Sequence, residues 1–281
     1  MFLRVHVEGR YEQCGDTNRE LMDIFSVVSL FFILIALGSW KSYFFPSRPL
    51  FRSQTTTRLG LALMCSCVFV VYLVLTKWSA MDVRQDTAEI GFYLVFSMGC
   101  IIFTQGAFAF LGVSLRDDIA ERGNIGAGFT VIGLTIGATC CVAGANVGEG
   151  PGFEVVLFSA VLSTGTLLAL WTVFALISNA AETITVERDL GAGIRIGGWL
   201  AGTGIVLGVC VTGYWISLVA TLKDFSRYSW PVAVYASLYG YFERAIRTRM
   251  LARKPGLTTS VLTAIAMTVA GGLYAKWIGI H

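Results

Sequence analysis

The sequence predicts an all-α, polytopic membrane protein of about eight transmembrane helices, with two parallel helical-hairpin repeats in its centre. Of the 281 residues, 55% are hydrophobic and 14% are charged, whereas a soluble globular chain carries roughly 25% charged residues. The uncharged residues are gathered in long stretches, and one glycine-rich pattern occurs twice. These observations exclude an ordinary soluble enzyme.

Eight stretches have no charged side chain, and most approach the roughly 20 residues that a helix needs to cross a bilayer. They run from Ile24 to Trp40, Leu59 to Thr76, Ile90 to Leu115, Gly123 to Gly148, Val155 to Ala181, Ile196 to Leu222, Tyr228 to Phe242 and Pro255 to Ala275. The seventh stretch is short and contains Pro231, so seven spans is the alternative.

Positive charge favours eight spans, because Lys and Arg collect in the cytoplasmic loops of membrane proteins. With eight spans, 13 of the 21 basic residues lie on the side that is expected to be cytoplasmic and 8 on the other side. With seven spans, these two numbers are exchanged. Both termini are then expected on the periplasmic side of a bacterial inner (cytoplasmic) membrane. We expect the seventh helix to extend past its apolar stretch, with Arg227 and Arg244 reaching the two interfaces.

The spans group into hairpins after an exposed polar tail, residues 1–23, whose mixed charges are not those of a cleavable signal peptide. The predicted segments are a first transmembrane hairpin at 24–82, hairpin repeat one at 88–148, hairpin repeat two at 153–222 and a C-terminal hairpin at 225–281.

The repeat has an offset of 65 residues. The stretch Asn124 to Gly128 matches Asp189 to Gly193, and the register continues to Gly137 and Gly202. Both copies run in the same direction, so a pseudo-symmetry axis would lie along the membrane normal. The sequence gives no convincing third or fourth copy in the outer hairpins.

Small residues at i, i+4 let helices approach closely. The fourth and sixth spans are therefore expected to form a central packed pair or to join protomers. The alternative is that their glycines expose backbone to a pore. The residues concerned are Gly133, Gly137, Gly193, Gly197, Gly198, Gly202, Gly204 and Gly208.

At these residues the sequence resembles the bacterial membrane family known as domain of unknown function 350. The matching stretches are Asn124 to Gly137 and Asp189 to Gly202, with Glu154 to Ala181 between them, and the second copy has Asp189 in place of the leading Asn. The resemblance covers roughly residues 90–222. It implies a multi-span inner-membrane protein whose activity is not established, and it supplies no catalytic residue.

No motif predicts catalysis, a cofactor or a metal site. The sequence contains no phosphate-binding loop, metalloprotease helix or nucleophile elbow. The two histidines lie near the termini, and six of the seven cysteines lie in predicted spans, where they act as small apolar residues. The net charge of +3 is too small to indicate nucleic acid as a partner.

Polar groups in the spans are few and neutral. Gln105, Thr135, Ser163 and Thr166 either join helices by hydrogen bonds or line a hydrated path. Arg195 is expected to reach the cytoplasmic interface and to help set topology. Glu149 and Glu154 flank a glycine-rich turn, where they are either solvated or form an acidic mouth that attracts cations.

The leading functional hypothesis is a structural or scaffolding subunit of an inner-membrane assembly, because buried acid–base groups are lacking. Its partners would be the lipid bilayer and further copies or other subunits of a complex. The alternative is a channel or passive transporter for a small ion or solute, and an enzyme is a distant third.

Overall fold

The structure is a computed structural model that describes residues 54–150, 152–248 and 255–279. The chain divides into two compact units, Met1–Phe45 and Pro46–His281, and the described residues all belong to the second unit. The predicted first span, Ile24 to Trp40, and the predicted tail lie outside the described residues.

Every regular element in the described ranges is a helix. A π-helical segment, Leu115–Glu121, precedes the fourth α-helix. The α-helices in chain order are α1 (Gln54–Lys77), α2 (Met81–Gln85), α3 (Thr87–Phe110), α4 (Ile125–Ala145), α5 (Phe153–Ser178), α6 (Ala180–Thr185), α7 (Leu190–Cys210), α8 (Leu218–Arg247) and α9 (Leu257–Ile278).

Six of these helices are long and apolar enough to cross a bilayer: α1 from Gly60 onward, α3, α4, α5, α7 and α9. This confirms that the protein is an all-helical, multi-pass membrane protein. The eighth helix, α8, is long but is not one of the six, since serine, tyrosine and charged residues interrupt its apolar stretch.

The predicted sixth span, Ile196 to Leu222, is wrong at both ends. The helix α7 begins six residues earlier, after Asp189, and ends at Cys210. Residues 211–217 then turn the chain, with Gly213 at a φ of 129°, where a glycine is favoured. The residues from Leu218 onward belong to α8. A hydropathy window cannot detect this turn because the apolar stretch continues through it.

The predicted seventh span, Tyr228 to Phe242, lies within α8. Its predicted extension beyond the apolar stretch is confirmed, since α8 contains 30 residues and continues through Pro231. At 1.5 Å per residue it is about 45 Å long. The exposed Arg244 donates a hydrogen bond to the carbonyl oxygen of Ile177 at 3.3 Å. The guanidinium of Arg227 lies 5.7 Å from the ring centre of Tyr228.

The helices α1, α4, α7 and α9 are parallel neighbours in that order, since α1 contacts α4, α4 contacts α7 and α7 contacts α9. Their contacts advance together along the chain, as from Gly126 beside Gly193 to Gly144 beside Gly208. We call the end at which α4 and α7 begin the cap end. The opposite end, where they finish, is the cavity end.

Candidate functional site

The cap end is organised by two equivalent side chains. Asn124 Oδ1 accepts a hydrogen bond from the backbone N–H of Ala127 at 3.2 Å, and Asp189 Oδ1 accepts one from Ala192 at 3.0 Å. These N-caps explain why α4 and α7 begin where they do. Asn124 also donates to the carbonyl oxygen of Ile184 at 2.8 Å, which ties α4 to α6.

Between α4 and α7 the two backbones are in direct contact. A Cβ atom added to Gly133 would collide with the backbone of Gly197, and one added to Gly204 would collide with that of Gly137. A Cβ at Gly137 would lie 2.6 Å from the carbonyl oxygen of Leu200. Larger side chains would separate these helices, so the glycines permit the close approach.

The interface between α7 and α9 is built in the same way. A Cβ on Gly198 would collide with Ala264, and one on Gly202 would lie 2.6 Å from the carbonyl oxygen of Met267. Thr268 Oγ1 donates to the carbonyl oxygen of Gly198 at 3.2 Å. Each of the eight glycines singled out from the sequence has such a neighbour less than 3.0 Å from its added Cβ.

The four neutral polar residues predicted to join helices or to line a path do not form one cluster. Gln105 Nε2 donates to Thr135 Oγ1 at 2.7 Å, which joins α3 to α4. Ser163 donates to the carbonyl oxygen of Ser159 at 2.8 Å. Thr166 donates to that of Leu162 at 2.7 Å, so these two hydroxyl groups bond within their own helix.

A buried ion pair lies toward the cap end of α7 and α8. Arg195 Nε and Nη2 donate to Glu243 Oε1 and Oε2, each at 2.7 Å, and Arg195 Nη1 donates to Ser260 Oγ at 2.7 Å. Arg195 is 2% exposed and Glu243 is 6% exposed. Charged groups inside a membrane protein are costly unless they are paired, so this pair is a candidate functional element.

Neighbouring groups complete this site. Tyr239 donates to Glu243 Oε1 at 2.5 Å. A Cβ on Gly191 would lie 2.9 Å from Ser260 Oγ and 3.2 Å from Arg195 Nη1, so the glycine leaves room for their hydrogen bond. Trp199, one turn after Arg195, is 1% exposed, and its Nε1 has no hydrogen-bond partner in the described structure.

The expectation that Arg195 reaches the interface is therefore wrong. The residue lies inside α7 because that helix starts at Leu190, and its partner Glu243 directly follows the predicted end of the seventh span. Glu243 was missed because it is 48 residues away in sequence. The position of Arg195 could have been predicted from the N-cap residue Asp189, because a helix that begins at Leu190 contains Arg195.

A second, exposed ion-pair group lies at the cap end. Arg247 donates to Glu187 at 2.8 Å and to Glu182 at 2.6 Å. These hydrogen bonds, first that to Glu187 and then that to Glu182, raise the pKa of Arg247. The group joins the end of α8 to the segment that precedes α7.

A cavity of about 110 Å³ lies at the cavity end, where α1 to α5, α7 and α8 meet. Its described lining includes the carboxylate residues Asp82, Glu149 and Asp224 and no Lys or Arg. Of the two residues in the predicted acidic mouth, Glu149 lines this cavity, and the exposed Glu154 is not among the lining residues. The sequence pattern did not identify Asp82 and Asp224, because only folding brings α2 and α8 to this end.

The described residues contain no group of three or more His, Cys, Asp or Glu side chains that could hold a metal ion. No family model, curated protein or solved structure matches this chain.

Proposed function

We propose that this integral membrane protein is a structural or scaffolding subunit of a bacterial inner-membrane assembly. The backbone-to-backbone packing of α4 with α7, and of α7 with α9, supports the proposal most directly. Interfaces this close cannot slide without collision, since packed interiors deform little. A rigid core of this kind suits a scaffold better than a transporter that must alternate between conformations.

The proposal includes the hairpin repeat. The helices α4 and α7 begin 65 residues apart behind equivalent caps. At the cavity end, Gly148 N donates to the carbonyl oxygen of Trp78, and Gly213 N donates to that of Val147. These two bonds join successive parallel helices in the same manner. The starts of α5 and α8, Phe153 and Leu218, also differ by 65 residues, so we include α8 and α9 as a further copy.

We further propose eight spans with both termini on the periplasmic side. The helix α8 reaches from Thr221, which lines the cavity, to Arg247, which pairs with cap-end carboxylates. A helix with these contacts crosses the same thickness as its neighbours. The arginines of the cap end, among them Arg116 and Arg188, support a cytoplasmic location for that end by the positive-inside rule.

A scaffold needs partners, and we propose that these are further copies of this chain or other subunits in the bilayer. The helix α9 packs on α7 with one face and leaves large apolar side chains exposed, including Leu262, Ile265 and Leu273. Lipid or protein can cover such a surface inside a membrane.

Two measurements on the full-length protein test the scaffold. Purified protein in liposomes is expected to give no ion or solute flux above that of empty vesicles. Extraction from native membranes into lipid nanodiscs, followed by mass measurement, is expected to give particles larger than one chain. Flux from a particle of a single chain would contradict the proposal.

The cavity favours a channel or passive transporter as a second candidate, because its three carboxylates can concentrate cations at one mouth. If this function is correct, liposomes that contain the wild-type protein conduct cations, and the substitutions Gln105→Leu and Asp224→Asn each reduce the cation flux. Asp117→Asn, which removes an exposed carboxylate at the cap end, is the matched control and leaves cation entry from the cavity end unchanged.

A further inference from the structure

The cavity at the cavity end is lined by largely buried polar residues whose side-chain oxygens face the cavity and make no hydrogen bond within the described protein. Tyr93, Asn146 and Ser159 line it and are 8%, 5% and 3% exposed. Asn146 Nδ2 donates to Ser97 and Val142, whereas the described structure gives no hydrogen bond to Asn146 Oδ1, Tyr93 Oη or Ser159 Oγ. Polar groups that a protein leaves unbonded take water or a ligand as their partner, so three such oxygens facing one cavity indicate a polar binding site.

The charge of the cavity indicates the sign of that ligand. Asp82, Glu149 and Asp224 come from three separate segments and line the same space. Glu89, one helical turn before Tyr93, and Glu154, in the first turn of α5, add negative charge near Tyr93. All three free oxygens can accept a hydrogen bond, and the neighbouring charges are negative. The complementary ligand is therefore a cation that donates hydrogen bonds.

The arrangement favours an organic cation over a metal ion. The described carboxylates do not gather into a group that could hold a metal, whereas an ammonium group can donate to separate acceptors in several directions. Aromatic residues line the cavity as well, including Tyr93, Tyr214 and Trp215, and aromatic rings attract alkylammonium groups. A volume of about 110 Å³ accommodates a small group of this kind.

We propose that this cavity binds a small primary alkylammonium group, with its nitrogen near Tyr93 Oη, Asn146 Oδ1 and Ser159 Oγ and with the carboxylates balancing its charge. Such a group is present both in free amines and in phosphatidylethanolamine headgroups. Binding here is independent of the scaffold function, because it requires neither flux nor assembly.

Isothermal titration of ethanolammonium chloride into the full-length protein tests the proposal. The protein is placed in nanodiscs of phosphatidylglycerol alone, so that no lipid carries an ammonium group, and empty nanodiscs supply the baseline. We expect saturable binding. Asp224→Asn is expected to weaken it about tenfold, the effect of losing a charged partner. Tyr93→Phe is expected to weaken it about threefold.

These variants separate ligand binding from folding. The Tyr93 hydroxyl group makes no hydrogen bond within the described protein, and Asp224 is exposed, so neither change removes an internal hydrogen bond. Asp117→Asn at the cap end is the control and is expected to bind like wild type. Absence of saturable binding by wild type, or equal binding by all three variants, would overturn the proposal. Competition by Mg²⁺ at or below the amine concentration would overturn the organic class.

A second lipid composition identifies the source of the group. If the site takes the lipid headgroup, phosphatidylethanolamine in the nanodiscs will compete with free ethanolammonium. The apparent binding of ethanolammonium will then weaken to the same extent in wild type and in Asp117→Asn. If the site takes a free amine, the affinity will not change. Both outcomes support an alkylammonium site, and flux measurements on the same preparations test the scaffold separately.

Discussion

Arg195 and Glu243 form a two-pronged ion pair that joins α7 to α8, with Nε to Oε1 and Nη2 to Oε2 each at 2.7 Å. Ser260 on α9 accepts from the same guanidinium. Three helices are thus joined by one arginine in a place where water has little access. Because of this geometry, a substitution of only one partner should cost more stability than a substitution of both.

The first prediction concerns this pair. Glu243→Gln leaves a buried guanidinium without its counter-charge, and we expect a loss of about 3–5 kcal/mol in the free energy of unfolding. The double variant Arg195→Met with Glu243→Met removes both charges and is expected to recover most of that loss. Equilibrium unfolding in mixed detergent micelles measures both.

Arg247→Gln is the matched control, because it breaks an ion-pair group at the exposed end of the same helix. Exposed pairs contribute about 0–1 kcal/mol, so this variant should remain close to wild type. A double variant of Arg195 and Glu243 that is no more stable than Glu243→Gln would contradict the view that the unpaired charge causes the loss.

The second prediction concerns the glycine interface. Gly204→Ala places a methyl group against the backbone of Gly137, and overpacking of this kind costs about 1–3 kcal/mol. Gly165→Ala is the control, since no atom lies within 4 Å of its added Cβ and alanine is the better helix former. Thermal unfolding in detergent should show a lower midpoint for Gly204→Ala and an unchanged or higher one for Gly165→Ala.

The third prediction separates the two caps. Asp189→Asn keeps an oxygen that can accept from Ala192, so α7 keeps its cap. Asn124→Asp also keeps its acceptor but loses the Nδ2 donor to the Ile184 carbonyl oxygen, and an unsatisfied buried group costs about 1–3 kcal/mol. Chemical unfolding should therefore show a larger loss for Asn124→Asp. Equal losses would mean that the bond to Ile184 contributes little.

The helical class, the packing glycines and the two caps all follow from local sequence patterns. The Asn124 and Asp189 stretches carry their own start signals, so the 65-residue spacing of the two helix starts could be predicted directly. The partner of Arg195 could not, because hydropathy treats each window alone, and the pairing with Glu243 depends on how α8 lies against α7. The cavity could be predicted only in part for the same reason. Glu149 lies beside a glycine turn in the sequence, whereas Asp82 and Asp224 come from α2 and α8, which only folding brings to it.

The fourth prediction compares two buried indoles. Trp199 Nε1 has no partner in the described structure, whereas Trp171 Nε1 donates to the carbonyl oxygen of Leu111 at 3.4 Å. Phenylalanine keeps an aromatic ring in the stack with Phe174 and removes the N–H group. Both variants lose buried ring area. Trp199→Phe should recover part of that loss because it deletes an unsatisfied donor, whereas Trp171→Phe should cost about 0.5–1.5 kcal/mol more than the shared loss because it breaks a hydrogen bond. Unfolding of the two single variants side by side in the same micelles gives the comparison. If Trp199→Phe is the more damaging change, its indole N–H has a partner, such as a buried water bound between α7 and α8.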